Sequence, residues 1–178
     1  MSQHLRDAVS ALVDQVKLNP QAARAVFRAS TVSASEGFTT QATVRGFGIT
    51  LDEPRELGGE DLGPNPVEAV LAALGSCQAI VYRAYAATLG LRLDRVQVEV
   101  KGVLDLRGFL NLAPVDSGFT GVAFTARIES PEPPEKLREL ARLVSEHCPV
   151  LDTLQRAVNV TGDVEIVSTV GAQRASAT

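Results

Sequence analysis

Apolar side chains recur along this chain with two different periods, and the places where one period gives way to the other divide it into elements. Between residues 4 and 18, Leu5, Val9, Leu12, Val13 and Val16 fall at helical spacing and Asn19-Pro20 stops the run, which predicts a short amphipathic helix. Residues 24–34 and 38–51 alternate instead, most clearly in Thr40-Gln-Ala-Thr-Val44 and Phe47-Gly-Ile-Thr-Leu51. Two strands are expected there, forming a hairpin about a turn at Ser35-Glu36-Gly37. Residues 52–65 hold Pro54, Gly58, Gly59, Gly63 and Pro64, too many breakers for a regular element, so this stretch reads as a loop of the kind that lines sites.

From Pro66 to about Leu89 the only breaker is Gly75, and nearly every residue from Ala69 to Ala87 is small or apolar on all sides. That pattern predicts a buried central helix. Its start carries three matching signals: Asn65 as N-cap, Pro66 at the first helical position, and Glu68 where a capping-box carboxylate reaches back. Gly90 is placed to end it.

Beyond this helix, Val96, Val98 and Val100 alternate with Arg95, Gln97, Glu99 and Lys101, and residues 119–129 alternate around Val122, Phe124, Ala126 and Ile128, giving two more strands. Pro133 and Pro134 open a helix with Leu137, Leu140, Leu143 and Val144 on one stripe, ending near His147, and Pro149 opens a short third helix through Arg156. A last strand is expected over Val158–Val167, followed by a small polar tail, residues 171–178, expected to be disordered. Sheet flanking a buried helix describes an α+β domain, and there is no internal repeat.

With 178 residues, 45% hydrophobic and 21% charged, the chain suits one domain with a full core. Its net charge of −4 and scattered Lys and Arg offer no basic stripe, so no nucleic-acid partner and no anionic membrane surface is expected. The N-terminus opens polar, without the apolar core of a signal peptide, and no stretch reads as long enough to span a bilayer, which points to the cytoplasm. In a reducing compartment a structural disulfide is disfavoured, so two cysteines there are core thiols, metal ligands or reactive groups.

Those cysteines are Cys77, deep in the apolar helix, and Cys148, just before Pro149. By its setting Cys77 faces no water and has a raised pKa with little reactivity, whereas Cys148 sits at a helix start whose dipole favours a thiolate. Inert packing is the alternative for both. His147 beside Cys148 suggests a metal pair, but two His and two Cys supply a tetrahedral site poorly and no metal is expected.

The run Gly63-Pro-Asn-Pro-Val-Glu68 followed by Leu-Ala-Ala-Leu-Gly-Ser-Cys77, together with Glu146-His-Cys-Pro-Val-Leu-Asp-Thr-Leu154, resembles the OsmC/Ohr family of thiol-dependent peroxidases over residues 24–168. The resemblance implies an OsmC-like domain over residues 21–170, with residues 1–20 as an N-terminal helical extension. It also implies an intertwined homodimer, with antiparallel sheets wrapped around long central helices and the sites at the subunit interface. Cys77 is then the peroxidatic nucleophile toward an organic hydroperoxide, and Cys148 the resolving thiol. No cofactor is implied; an external small or protein dithiol reduces the resulting disulfide.

The family activates its nucleophile with an Arg and a Glu, and here both positions depart from the pattern. Where the family's Glu often follows the Pro of the Asn-Pro pair, this chain has Val67, with Glu68 one place later and turned by ~100°. Glu68 also lies roughly 13 Å of helical rise from Cys77, so contact would need the partner chain. A helix cap is its first reading and a catalytic part its second. The hairpin at Ser35-Glu36-Gly37 lacks the Arg, leaving Arg55, preferred for its loop before the helix, and Arg45 as substitutes that could lower the thiol pKa. These departures keep an alternative open: a non-enzymatic module that binds a hydrophobic molecule or senses oxidants.

Overall fold

The computed structural model describes residues 3–168. In chain order these form α1 (Gln3–Leu18), β1 (Ser30–Ser33), β2 (Thr40–Val44), β3 (Phe47–Leu51), α2 (Pro66–Leu89), β4 (Arg95–Leu104), α3 (Leu106–Phe109), β5 (Phe119–Glu129), α4 (Pro134–His147) and α5 (Pro149–Gln155). Short 3₁₀ turns at Pro20–Ala23 and Arg55–Leu57 punctuate the loops. The polar tail over residues 171–178 lies outside the described residues.

Two antiparallel sheets result, one of order β1-β2-β3 and the other the hairpin β4-β5. The run 38–51, expected as one strand, divides at Arg45-Gly46: Val44 pairs with Phe47, and Arg45 turns the chain with φ 58, in the left-handed region. Alternation continues across such a tight connection, so the apolar pattern alone does not reveal the break. Of the run 24–34, only Ser30–Ser33 finds a partner strand, in β2.

The central helix begins as its sequence dictates. Asn65 accepts from the Glu68 N–H at 2.9 Å, and the Asn65 N–H donates to the Glu68 carboxylate at 2.9 Å, a reciprocal capping box with Pro66 in the first turn. Gly90, at φ 70, closes the other end. Gly75 has a packing reason: a Cβ there would stand 3.3 Å from Val100 Cγ2, so its absence lets β4 lie close against the helix.

One face of α2 is buried. Tyr82 and Ala86 pack with Leu91, Leu93, Leu140 and Val144, while Leu74 packs with Cys148 and Leu151 nearer the helix middle. The expectation of burial on all sides is corrected: Val70 and Ile80 stay exposed, Ile80 to 68%. The hairpin β4-β5 supplies Val100, Phe124, Ala126 and Ile128 to the core, whereas Phe47 and Ile49 of the first sheet are exposed, so within one chain only the second sheet covers the helix.

Two further expectations change. Residues 157–168 form no strand and pair with neither sheet, and Val160, Val164 and Ile166 are each more than 80% exposed. And α2, with 24 residues and an 18-residue stretch of mean hydropathy 1.2, does have the length and composition to cross a membrane, contrary to the sequence expectation; here it serves as the helix on which α1, α4, α5 and β4 pack.

Candidate active site

Although they lie at positions 77 and 148, the two cysteines meet. Cys77 projects from the middle of α2, and Cys148 both ends α4 and stands as N-cap of α5. They share one apolar cluster with Leu74, Leu151, Val100, Phe124 and Val150, and their thiols are free, with Cys148 close enough to act on the acidity of Cys77. Pro149 lacks an N–H and sets the first turn of α5, so the first free donor of that turn is Val150. This donor reaches the sulfur of Cys77.

The burial of the pair reverses the sequence expectation. Cys148 is fully buried, and Cys77 is only half-buried, because the face of α2 beside it is uncovered. Burial still pushes the Cys77 thiol above its ordinary range; the Val150 N–H pulls it down, and the hydrogen bond and charge of Cys148 push it up further. No Arg or Glu is among the groups that shift it.

A mainly apolar cavity of about 400 Å³ lies behind the cluster, lined by Leu74, Phe119, Val122, Phe124, Leu151 and Leu154 with Gln155. Three of these, Leu74, Phe124 and Leu151, also pack in the cysteine cluster, although neither cysteine itself lines the cavity. It suits an alkyl chain better than a small polar molecule.

The other sequence candidates lie elsewhere on the chain. Glu68 is engaged in the capping box. Arg45 holds its guanidinium 5.2 Å from the Phe47 ring centre at the β2–β3 turn. Arg55 is exposed on the loop before α2 and makes no ion pair among the described residues. That loop is organised by Asp52, which accepts from the Glu53, Glu60 and Leu62 N–H groups at 2.9, 3.1 and 3.3 Å. Leu57 of the same loop lines a second, mainly apolar cavity of about 380 Å³ with Phe38, Pro66 and Phe109, at the N-terminal end of α2. His147 stacks on Tyr85 at 5.7 Å, and no group of three metal-ligating side chains occurs among the described residues.

Sequence reasoning missed two participants. The Val150 N–H carries no side-chain signal, although Pro149 marked the helix start. Gln78 did carry one, as a lone amide inside the apolar helix: it is fully buried, and neither of its amide atoms has a hydrogen-bond partner.

The fold is shared with known proteins. Residues 58–162 match the family described as OsmC-like protein, and the chain belongs to that family. A protein of Mycoplasma genitalium named hydroperoxide reductase is 31% identical over 117 residues, 64% of this chain and 76% of that one. Among solved structures, an OsmC-like protein from Mycoplasma pneumoniae shares the fold at TM-score 0.63 and 22% identity, over 74% of this chain and 88% of that one. An organic hydroperoxide resistance protein OsmC from Legionella pneumophila does so at TM-score 0.56 and 24% identity, over 74% and 92%.

Proposed function

We propose that this protein is a dithiol peroxidase that reduces organic hydroperoxides. The observation that carries the reading is that Cys77 and Cys148, far apart in sequence, share one apolar cluster as free thiols close enough for Cys148 to shift the acidity of Cys77. The Cys77 thiolate attacks the O–O bond; an S–O bond forms, the alcohol leaves with a proton, and Cys77 becomes a sulfenic acid. Cys148 then condenses with it, giving a disulfide and water, and an external small or protein dithiol restores both thiols by exchange. The half-exposed sulfur is the attacking one because a substrate can reach it; the fully buried sulfur resolves. A reducing cytoplasm fits the need for a dithiol.

The working unit is a homodimer. Supporting this are the uncovered apolar face of α2 around Ile80, the exposed apolar residues of β1-β2-β3, and the unpaired alternating segment 157–168. The second copy supplies the cation that one chain does not bring to Cys77, and Arg55, exposed and free of ion pairs, is the candidate. Turnover of an alkyl hydroperoxide with a dithiol tests the reading: wild-type protein is expected to cycle and Cys77→Ser to lose turnover. Full activity without Cys77 would overturn it. A single round of oxidation that then stops would favour a redox sensor, the reading that the lack of an Arg or Glu acting on Cys77 within one chain also suggests.

A further inference from the structure

Among the described residues only two polar side chains are buried, Asp52 and Gln78. Asp52 is saturated by backbone donors of its own loop. Gln78 has none: it is 0% exposed, and both Nε2 and Oε1 lack a partner. Because it is enclosed within a single chain, a second copy does not reach it. A buried amide left unpaired is a liability for stability, so its presence calls for a role in another state of the protein.

Helical spacing says where the amide sits. Gln78 lies one turn after Leu74, which packs with Cys148 and Leu151, and one turn before Tyr82, which packs with Leu140 and Val144. It therefore faces the last turn of α4, between Val144 and Cys148. The remaining groups clustered about Cys148 are the Cys77 thiol and the apolar side chains of Leu74, Val100, Phe124, Val150 and Leu151.

We propose that Gln78 is the positioning residue of the resolving step, its amide donating a hydrogen bond to the Cys148 sulfur as that sulfur becomes a thiolate. This rests on the peroxidase reading. In the step itself, the Cys148 sulfur attacks the Cys77 sulfenic sulfur, an S–S bond forms and the S–O bond breaks. The Cys148 proton leaves with the hydroxyl as water, so the sulfenic sulfur is reduced as the thiol is oxidised. Negative charge on Cys148 builds in a fully buried, apolar setting, where a fixed donor has most effect. The neutral Cys148 thiol is a weak acceptor and takes no hydrogen bond from the amide in the resting dithiol state, whereas a thiolate is a strong one.

The test uses reduced full-length protein and one equivalent of cumene hydroperoxide. Hydroperoxide consumption reads the first step, and loss of a diketone-trappable sulfenic acid reads the second. Gln78→Met keeps the shape and removes the amide; Gln78→Leu is the second variant. Both are expected to consume hydroperoxide at the wild-type rate, to resolve roughly tenfold more slowly, and to do so with a pH profile moved to higher pH. Gln78→Met is also expected to melt at a higher temperature than wild type. An unchanged resolving rate, equal slowing of both steps, or variants less stable than wild type would each overturn the inference. A wild-type protein that consumes hydroperoxide without forming a disulfide would overturn the dithiol reading, and this inference with it.

Discussion

The backbone N–H of Val150 lies close enough to the sulfur of Cys77 to lower its pKa, so the helix start that Pro149 creates acts on the cysteine of the other helix. The dipole that the sequence assigns to Cys148 is thus delivered to its partner. Burial outweighs it, and the nearby Cys148 adds to the upward shift.

A direct consequence concerns pH. A thiol pushed above its ordinary range is mostly protonated at neutral pH, and its reactivity climbs as pH approaches the raised value. Cys148→Ala removes one source of the shift and leaves burial in place. The midpoint of Cys77 alkylation by iodoacetamide, followed against pH, is expected to fall, with faster alkylation at pH 7. An unmoved midpoint would show that Cys148 does not set the Cys77 acidity.

Asp52 gives a second pH signature. Burial alone would raise its pKa, but the N–H groups of Glu53, Leu62 and Glu60 and the Thr39 hydroxyl together hold it below the ordinary carboxylate value. A depressed carboxylate pKa contributes stability that is present above the unfolded value near 3.8 and is lost as pH falls through the folded one. Asp52→Asn is therefore expected to melt at a lower temperature than wild type at pH 7, with the gap closing below pH 4. A gap that persists unchanged into acid would show that the charge is not what organises the loop.

How far the sequence reaches depends on whether a feature is local. The bounds of α2 are legible because Asn65, Pro66, Glu68 and Gly90 act on their own backbone. The β4 and β5 strands are legible because each buries one face within the chain. Residues 158–167 have the same alternation but form no strand, since pairing needs an edge that the sequence does not specify. Within the site, both sulfurs were legible from their motifs, while their relative burial was not. Cys77 lies on an apolar helix that a single chain covers on one face only, so an apolar surrounding sequence did not mean a buried side chain.

The capping box separates a structural from a chemical part for Glu68. Asn65→Ala removes the side chain that accepts from the Glu68 N–H and is expected to cost about 1 kcal/mol of stability. Glu68→Gln keeps an acceptor for the Asn65 N–H, so stability within about 0.5 kcal/mol of wild type is expected. Hydroperoxide turnover is expected to stay at the wild-type rate in Glu68→Gln. A well-folded Glu68→Gln protein without turnover would place this carboxylate in the chemistry.

Whether the proposed cation comes from the second copy can be decided by mixing chains. Ile80 is 68% exposed on the uncovered face of α2. A charge introduced there by Ile80→Glu is expected to split the proposed dimer, read by sedimentation equilibrium, and to abolish turnover if the second copy completes the site. Loss of activity alone does not say which residue crosses the interface, and co-expression does. Cys77→Ser chains lack the nucleophile, and Arg55→Ala chains lack the proposed cation. Each homodimer is expected to be inactive. A mixed dimer, however, holds one complete site, in which Cys77 of the Arg55→Ala chain meets Arg55 of the Cys77→Ser chain. Random pairing makes half the dimers mixed, each with one good site of two, so about a quarter of wild-type activity is expected. If Arg55 acted within its own chain, no mixed dimer would hold a complete site and the mixture would stay inactive. An Arg55→Ala homodimer with full turnover would remove Arg55 from the site and pass the search to Arg45.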